Sequence, residues 1–161
     1  MTQKRSWKRV GPIEEGGTVF GLCATTSDAQ DTLWATTGTT SFRSDDGGDT
    51  WRSVGRGPEG LQLITIAYGP PGVLIAGDLN GNVARSLDGG REWSRHEFPG
   101  RACAITCLAV SPNFETDGVV LMGTDGDGVW RSVDDGRHWS DVNFGLWDLN
   151  VLALACAPQW T

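Results

Sequence analysis

The sequence predicts an all-β chain made of β-propeller blades, each of four antiparallel strands, with three complete blades and partial strands at both ends. Two observations lead there. One is an internal period of 42 to 46 residues, read from the spacing of Trp51, Trp93 and Trp139. The other is the recurrence, within each period, of the same four short apolar runs separated by turn residues. A period in this range marks stacked supersecondary units rather than one irregular core, and short strands at regular spacing with turn signals between them mark an all-β architecture.

The period is carried by three segments that align without gaps: Arg43 to Val54, Arg85 to His96 and Arg131 to Val142. Each contains Ser-x-Asp-x-Gly-x-x-Trp. Ser6-Trp7-Lys8-Arg9-Val10 repeats the tail of that unit 44 residues before Trp51 without its turn. Residues 5–10 are therefore expected to be the last strand of a partial blade. Blade 1 is expected over 18–54, blade 2 over 61–98 and blade 3 over 103–144, and 151–157 as the first strand of a further blade.

Within each period the first run is almost continuously apolar, as in Leu63-Ile-Thr-Ile-Ala67 and Ile105-Thr-Cys-Leu-Ala-Val110. A strand buried on both faces reads this way, as the innermost strand of a blade must. The second run is also apolar and ends in a small residue, as in Val73-Leu-Ile-Ala-Gly77. The outer two runs flank the Asp-containing turn.

The residues of that turn have local work. Asp46, Asp88 and Asp134 are placed to accept backbone N–H groups of their own loop, as in Asx turns. Gly48, Gly90 and Gly136 suit a position of positive φ. The hydroxyls of Ser44, Ser86 and Ser132 close the loop from the other side. Trp51, Trp93 and Trp139 are large enough to fill the space between blades, an indole burying on the order of 150 to 250 Å². The motif reads as a folding device.

These segments resemble the Asp-box repeat of bacterial neuraminidases, Ser-x-Asp-x-Gly-x-Thr-Trp. Residues 44–51 match every position, whereas Glu92 and His138 stand where the family has Thr. The resemblance covers the whole chain. It implies a propeller, as in sialidases, xyloglucanases, sortilin-type receptors and the photosystem II assembly factor, and these share a fold rather than a reaction. It also implies that ligands use the face opposite the Asp-box turns.

Composition narrows the partners. The net charge is −7, and after the first nine residues Lys and Arg do not cluster, which argues against nucleic acid. No apolar run approaches the roughly 18 residues of a membrane span. The N-terminus lacks the apolar stretch of a secretory signal, so a cytoplasmic location is expected. Cys23, Cys103, Cys107 and Cys156 lack the paired spacing of a zinc site and read as small buried hydrophobes, with a disulfide between two of them as the alternative. No metal or cofactor is expected.

The loops on the implied ligand face carry Glu14, Glu15, Arg56, Glu59, Asp78, Arg101, Asp125, Asp127, Trp147 and Asp148. Of these, Asp78, Arg101, Asp125, Asp127, Trp147 and Asp148 form the possible ligand face, suited to a protein or a glycan. Asp125-Gly-Asp127-Gly128 lacks the further ligands of a calcium loop and reads as a hairpin turn. The sialidase constellation is missing its parts: Tyr68, the lone tyrosine, lies at the end of an inner strand, and Arg43, Arg85 and Arg131 occur once per blade, which is a structural position. His96 and His138 are expected on the Asp-box side. The leading reading is a non-catalytic binding or assembly scaffold. The alternative is a glycoside hydrolase, or part of one, with its two carboxylates drawn from Asp125, Asp127 and Asp148. Because closed propellers have typically four to eight blades, either a homo-oligomer or a longer chain is expected to complete the ring.

Overall fold

In a computed structural model, residues 18–27 and 30–158 are described. They form three four-stranded antiparallel sheets, one per period. Blade 1 consists of β1 (Gly21–Ser27), β2 (Gln30–Thr36), β3 (Thr40–Ser44) and β4 (Arg52–Arg56). Blade 2 consists of β5 (Leu63–Gly69), β6 (Val73–Asp78), β7 (Val83–Ser86) and β8 (Ser94–His96). Blade 3 consists of β9 (Ile105–Val110), β10 (Val120–Thr124), β11 (Val129–Ser132) and β12 (Ser140–Asp141). Strands pair in chain order within each blade, and the innermost strands β1, β5 and β9 are neighbours across blades.

One turn of helix, α1 (Phe114–Asp117), stands between β9 and β10, where the sequence suggests only a turn. Ser111 Oγ donates to Asp117 Oδ2 at 2.6 Å, and Asp117 Oδ1 accepts the Val119 N–H. This pins the loop while Phe114 buries against Gly69, where any side chain would collide with the ring. The expected strand at 5–10 lies outside the described residues. Residues 151–157 run without sheet pairing, although the Val151 N–H bonds to the Thr124 carbonyl at 2.9 Å and Thr106 Oγ1 donates to the Val151 carbonyl.

The hydrophobic core lies between blades. Trp34, Leu61, Leu63, Ile66, Leu74, Ala76 and Ala84 join blade 1 to blade 2. Val73, Ile75, Val83, Ile105, Phe114, Val120, Met122 and Trp139 join blade 2 to blade 3. Strand register explains this division. Trp34 pairs with Arg43, Ile75 with Arg85 and Leu121 with Arg131, so these positions are equivalent, and in blades 1 and 2 they face the following blade. Period-2 alternation sends the flanking residues, such as Ala76 and Met122, toward the preceding blade.

The turn of each following blade seats on this face. Gly89 lies against Trp34, and Gly136 against Ile75. Gly55 on β4 passes so close to the Gly90 carbonyl that a Cβ there would collide with it. Tyr68 stacks on Trp34, with centroids 6.0 Å apart, and Arg43 covers the same indole at 5.0 Å. The tyrosine is thus an inter-blade packing residue.

Candidate functional site

Each Ser-x-Asp-x-Gly-x-x-Trp turn is closed by its own side chains. The Ser44, Ser86 and Ser132 hydroxyls donate to Asp46, Asp88 and Asp134 at 2.7, 2.8 and 2.9 Å. The same oxygens accept the N–H of Gly48, Gly90 and Gly136 at 2.8, 2.8 and 2.9 Å. Those glycines have φ of 95°, 87° and 82°, a region nearly closed to other residues. The aspartates also accept the amides of Thr50, Glu92 and His138. Where Thr50 adds its hydroxyl to Asp46 at 2.5 Å, His138 Nδ1 sits 2.5 Å from Asp134. A carboxylate side chain at 92 cannot add that bond.

The tryptophans differ in environment. Trp51 and Trp93 donate to the carbonyls of Gly48 and Gly90 at 3.0 and 3.1 Å and stay partly exposed. Trp139 is buried in the core between blades 2 and 3, and its indole N–H has no partner. All three carboxylates are consumed within their turns.

The opposite end of the blades carries the β2–β3-type hairpins and the links between blades. A groove of about 550 Å³ opens there beside blade 2. One wall is the Asn80 to Asn82 turn, the other is the link from Glu97 to Ala102, and Arg95 and His96 line the space between. His96, expected on the Asp-box side, borders this groove, while its ring meets Ser94 at 3.0 Å and feels the charges of Arg137 and Asp134 in the blade 3 turn. Strand β8 starts at the turn and ends at the groove, and His96 is its last residue. Burial holds the His96 ring below the usual imidazole range, with the charges of Arg85 and Arg137 adding to the effect.

Of the six expected ligand-face residues, the structure brings two together. Asp127 accepts the Arg101 N–H at 2.9 Å, and the Arg101 guanidinium lies 3.8 Å from the same carboxylate. Asp125 is exposed on the next hairpin, bridged through its backbone to Asn150. Asp148 accepts the amide and side chain of Asn150 at 2.9 and 2.8 Å. Trp147 is wholly exposed.

Asp78 is not the exposed loop carboxylate the sequence suggests, because it is buried with 1% exposure. It accepts the Asn80 and Asn82 amides, both at 2.8 Å, and the Asn82 side-chain Nδ2 at 2.6 Å. Its backbone N–H bonds to the Asn82 carbonyl, as Thr37 bonds to Thr40 and Thr124 to Gly128. Asp78 is thus the counterpart of two threonines. Sequence reasoning missed Asn82 and Arg95, and the available signal was this departure from threonine at a position the repeat otherwise keeps.

The four cysteines are free. Burial pushes the Cys23 thiol up to about 12, and raises Cys103 and Cys156 above the usual thiol range, so these thiols are poor nucleophiles. No group of three or more potential metal ligands occurs among the described residues.

The model of the DUF6242 beta propeller domain matches residues 2–150. The chain belongs to this family. No curated protein matches the sequence. Among solved structures, an ancestral GH74 enzyme superposes on the DUF6242 propeller with a TM-score of 0.62 at 19% identity, covering 85% of this chain and 20% of its own. YCF48 from Cyanidioschyzon merolae gives 0.57 at 20% identity, over 82% of this chain and 39% of its own. YCF48 bound to D1 peptide gives 0.61 at 16% identity, over 84% and 44%. At such identities the likeness is one of fold, and the DUF6242 chain spans less than half the length of each. No described helix is long and apolar enough to cross a membrane.

Proposed function

We propose that this DUF6242 chain is a non-catalytic binding scaffold, that its three turns are Asp-boxes serving to hold the blades, and that a protein segment binds the groove between the Asn80 to Asn82 turn and the Glu97 to Ala102 link. The observation that carries the reading is the division of labour between the two ends of the blades. At one end the motif carboxylates Asp46, Asp88 and Asp134 are each bonded into their own loop. At the other end a polar groove of about 550 Å³ falls within the range of roughly 300 to 1,000 Å³ usual for ligand sites.

Its lining holds one carboxylate, Glu97, against two arginines, Arg95 and Arg101. Glycoside hydrolysis in this kind of cleft takes a pair of carboxylates, so the lining favours binding over hydrolysis. Phe98, the aromatic residue of the lining, presents its ring to Trp130 in an edge contact at 4.8 Å, which favours a peptide over a sugar that needs a stacking face. Another propeller of this fold, YCF48, binds D1 peptide.

A peptide array and a glycan array, read in parallel with release of reducing sugar, test the reading. Binding confined to peptides with no sugar release is the expected result. Reducing-sugar release on any oligosaccharide overturns it.

A further inference from the structure

Blade 2 departs from its neighbours at three places, and one hydrogen-bonded chain connects all three. Asp78 stands where blades 1 and 3 have Thr37 and Thr124. Asn82 stands where blade 3 has Gly128. Arg95 pairs with Ala84 as Ser53 pairs with Phe42 and Asp141 with Trp130, so its counterparts are a serine and an aspartate. The repeat folds without these residues in the other blades, so folding does not require them.

The connections run outward from the interior. Buried Asp78 accepts the Asn82 Nδ2 at 2.6 Å. An amide held by its nitrogen must present its oxygen on the other side, and Asn82 Oδ1 accepts a hydrogen bond from the Arg95 guanidinium. Arg95 is exposed at the groove, and the partner that orients it is neutral, so its charge is steered without being cancelled. Across the groove, the Arg101 side chain is 83% exposed, but its guanidinium lies 3.8 Å from the Asp127 carboxylate that also accepts its backbone N–H, so its charge is already partnered. A planar guanidinium held in a fixed orientation is the side chain best suited to a carboxylate, which it meets through two parallel N–H bonds.

We infer that the groove is a carboxylate-reading site for acidic peptides, with Arg95 as the reading residue and Asp78 acting on it through Asn82 as a positioning residue. This rests on the reading of the groove as a peptide site and specifies what that site recognises. A protein of net charge −7 repels acidic segments in general, so the uncancelled charge of Arg95 would confine such binding to one place.

The test uses fluorescence anisotropy at low salt with two labelled hexapeptides, (Gly-Glu)3 and its amide counterpart (Gly-Gln)3. The glutamate peptide is expected to bind at least about tenfold tighter, the scale of one charge-assisted bidentate pair. Arg95→Ser and Asp78→Thr borrow the residues of the sister blades and so preserve the fold. R95S should abolish the preference for glutamate, and D78T should reduce it about threefold or more while leaving the glutamine peptide unchanged, because loss of positioning affects only the charged ligand. Arg91→Ser, in the turn at the far end, should change nothing. Equal binding of the two peptides, an unaltered preference in R95S, or an equal loss in R91S overturns the inference while leaving the groove a peptide site. Failure of both peptides to bind the wild-type chain overturns the peptide reading itself.

Discussion

Arg85 of blade 2 reaches across the blade boundary to Asp135 in the turn of blade 3, Nη2 to Oδ2 at 3.4 Å. The arginine is buried at 5% exposure, and burial lowers its basicity, with the nearby Arg137 charge adding to the effect while Asp135 opposes both. Asp135 has φ of 59°, at the position where the other turns carry Gly47 and Gly89 with φ of 69° and 70°. A non-glycine residue is thus kept in the left-handed region where its carboxylate meets a buried cation.

Two opposed effects follow for Asp135→Gly. Releasing the backbone gains about 1 kcal/mol, while leaving a buried guanidinium without its carboxylate costs about 2 to 3 kcal/mol, below the range for fully buried pairs because Asp135 is partly exposed. The net expectation is a destabilisation of roughly 1 to 2 kcal/mol. Urea denaturation of D135G, R85M and the double variant measures it, and the double variant should be more stable than D135G.

Acid should loosen the turns in a defined window. The hydroxyl and amide of Thr50, together with the Ser44 hydroxyl, hold the Asp46 carboxyl at about 2. Burial pulls Asp134 upward, but the amide and ring of His138 and the Ser132 hydroxyl outweigh it and leave that carboxyl also at about 2. The Glu92 amide is the largest influence on Asp88, and its carboxyl is lowered as well. A depressed carboxyl contributes fully above its unfolded value of about 3.9 and loses that contribution as pH falls through the folded value. Stability should therefore fall between pH 4 and pH 2. Carboxyl titrations followed by NMR should show the Asp46 midpoint rising in Thr50→Val.

Loss of one turn hydroxyl should be felt through the backbone. In Ser86→Ala the buried Gly90 N–H loses its acceptor and Asp88 loses a donor. The expected cost is about 1 to 3 kcal/mol, read as a lower midpoint in urea with an unchanged slope. A change below a few tenths of a kcal/mol would show that the glycine amide finds another acceptor.

Trp139 and Trp51 occupy the same place in the repeat, yet they should respond differently. Trp139 is enclosed by Ile75 and its core neighbours, so Trp139→Ala should cost about 3 to 5 kcal/mol. Trp51 is partly exposed, and the same change there should cost roughly half as much or less. Equal losses at the two sites would contradict the packing described.

Leu121 of blade 3 corresponds to Trp34 and Ile75, which lie against the following turn in blades 1 and 2, and Val142 corresponds to Val54, which lies against Gly90; Val142 remains 40% exposed. Phe144, Trp147 and Leu152 add exposed apolar surface nearby. Such a face promotes association. Light scattering of the 161-residue chain should show self-association that Leu152→Glu reduces, and a well-folded monomer at high concentration would contradict this.

The fold class was legible because a repeated short motif states its local geometry three times. Strand periodicity, the Ser-Asp pairing inside each turn and the need for glycine at positive φ all act between residues a few positions apart. The groove was less legible. Asp78 reads in the sequence as a loop carboxylate, but it is buried and both of its oxygens are bonded within its own hairpin. His96 follows a turn in sequence and, at the end of β8, borders the groove while its ring still feels the charges of the blade 3 turn. Nothing local marks Arg95, since an arginine on an outer strand is ordinarily a solvated side chain.

The sequence by itself determined the blades, their order and the Ser-x-Asp-x-Gly-x-x-Trp turns that close them, since each depends on near neighbours along the chain. Only the tertiary structure decided that Arg95 meets a neutral partner, Asn82, whereas Arg101 meets the Asp127 carboxylate. It also decided that Trp139 rather than Trp51 is enclosed, and that Asp78, Asn82 and Arg95 form one chain to the groove. The physical reason is that burial and hydrogen-bond partnership across a blade, or between blades, belong to pairs up to 50 residues apart, such as Arg85 and Asp135. No local pattern encodes which of several chemically similar side chains will meet.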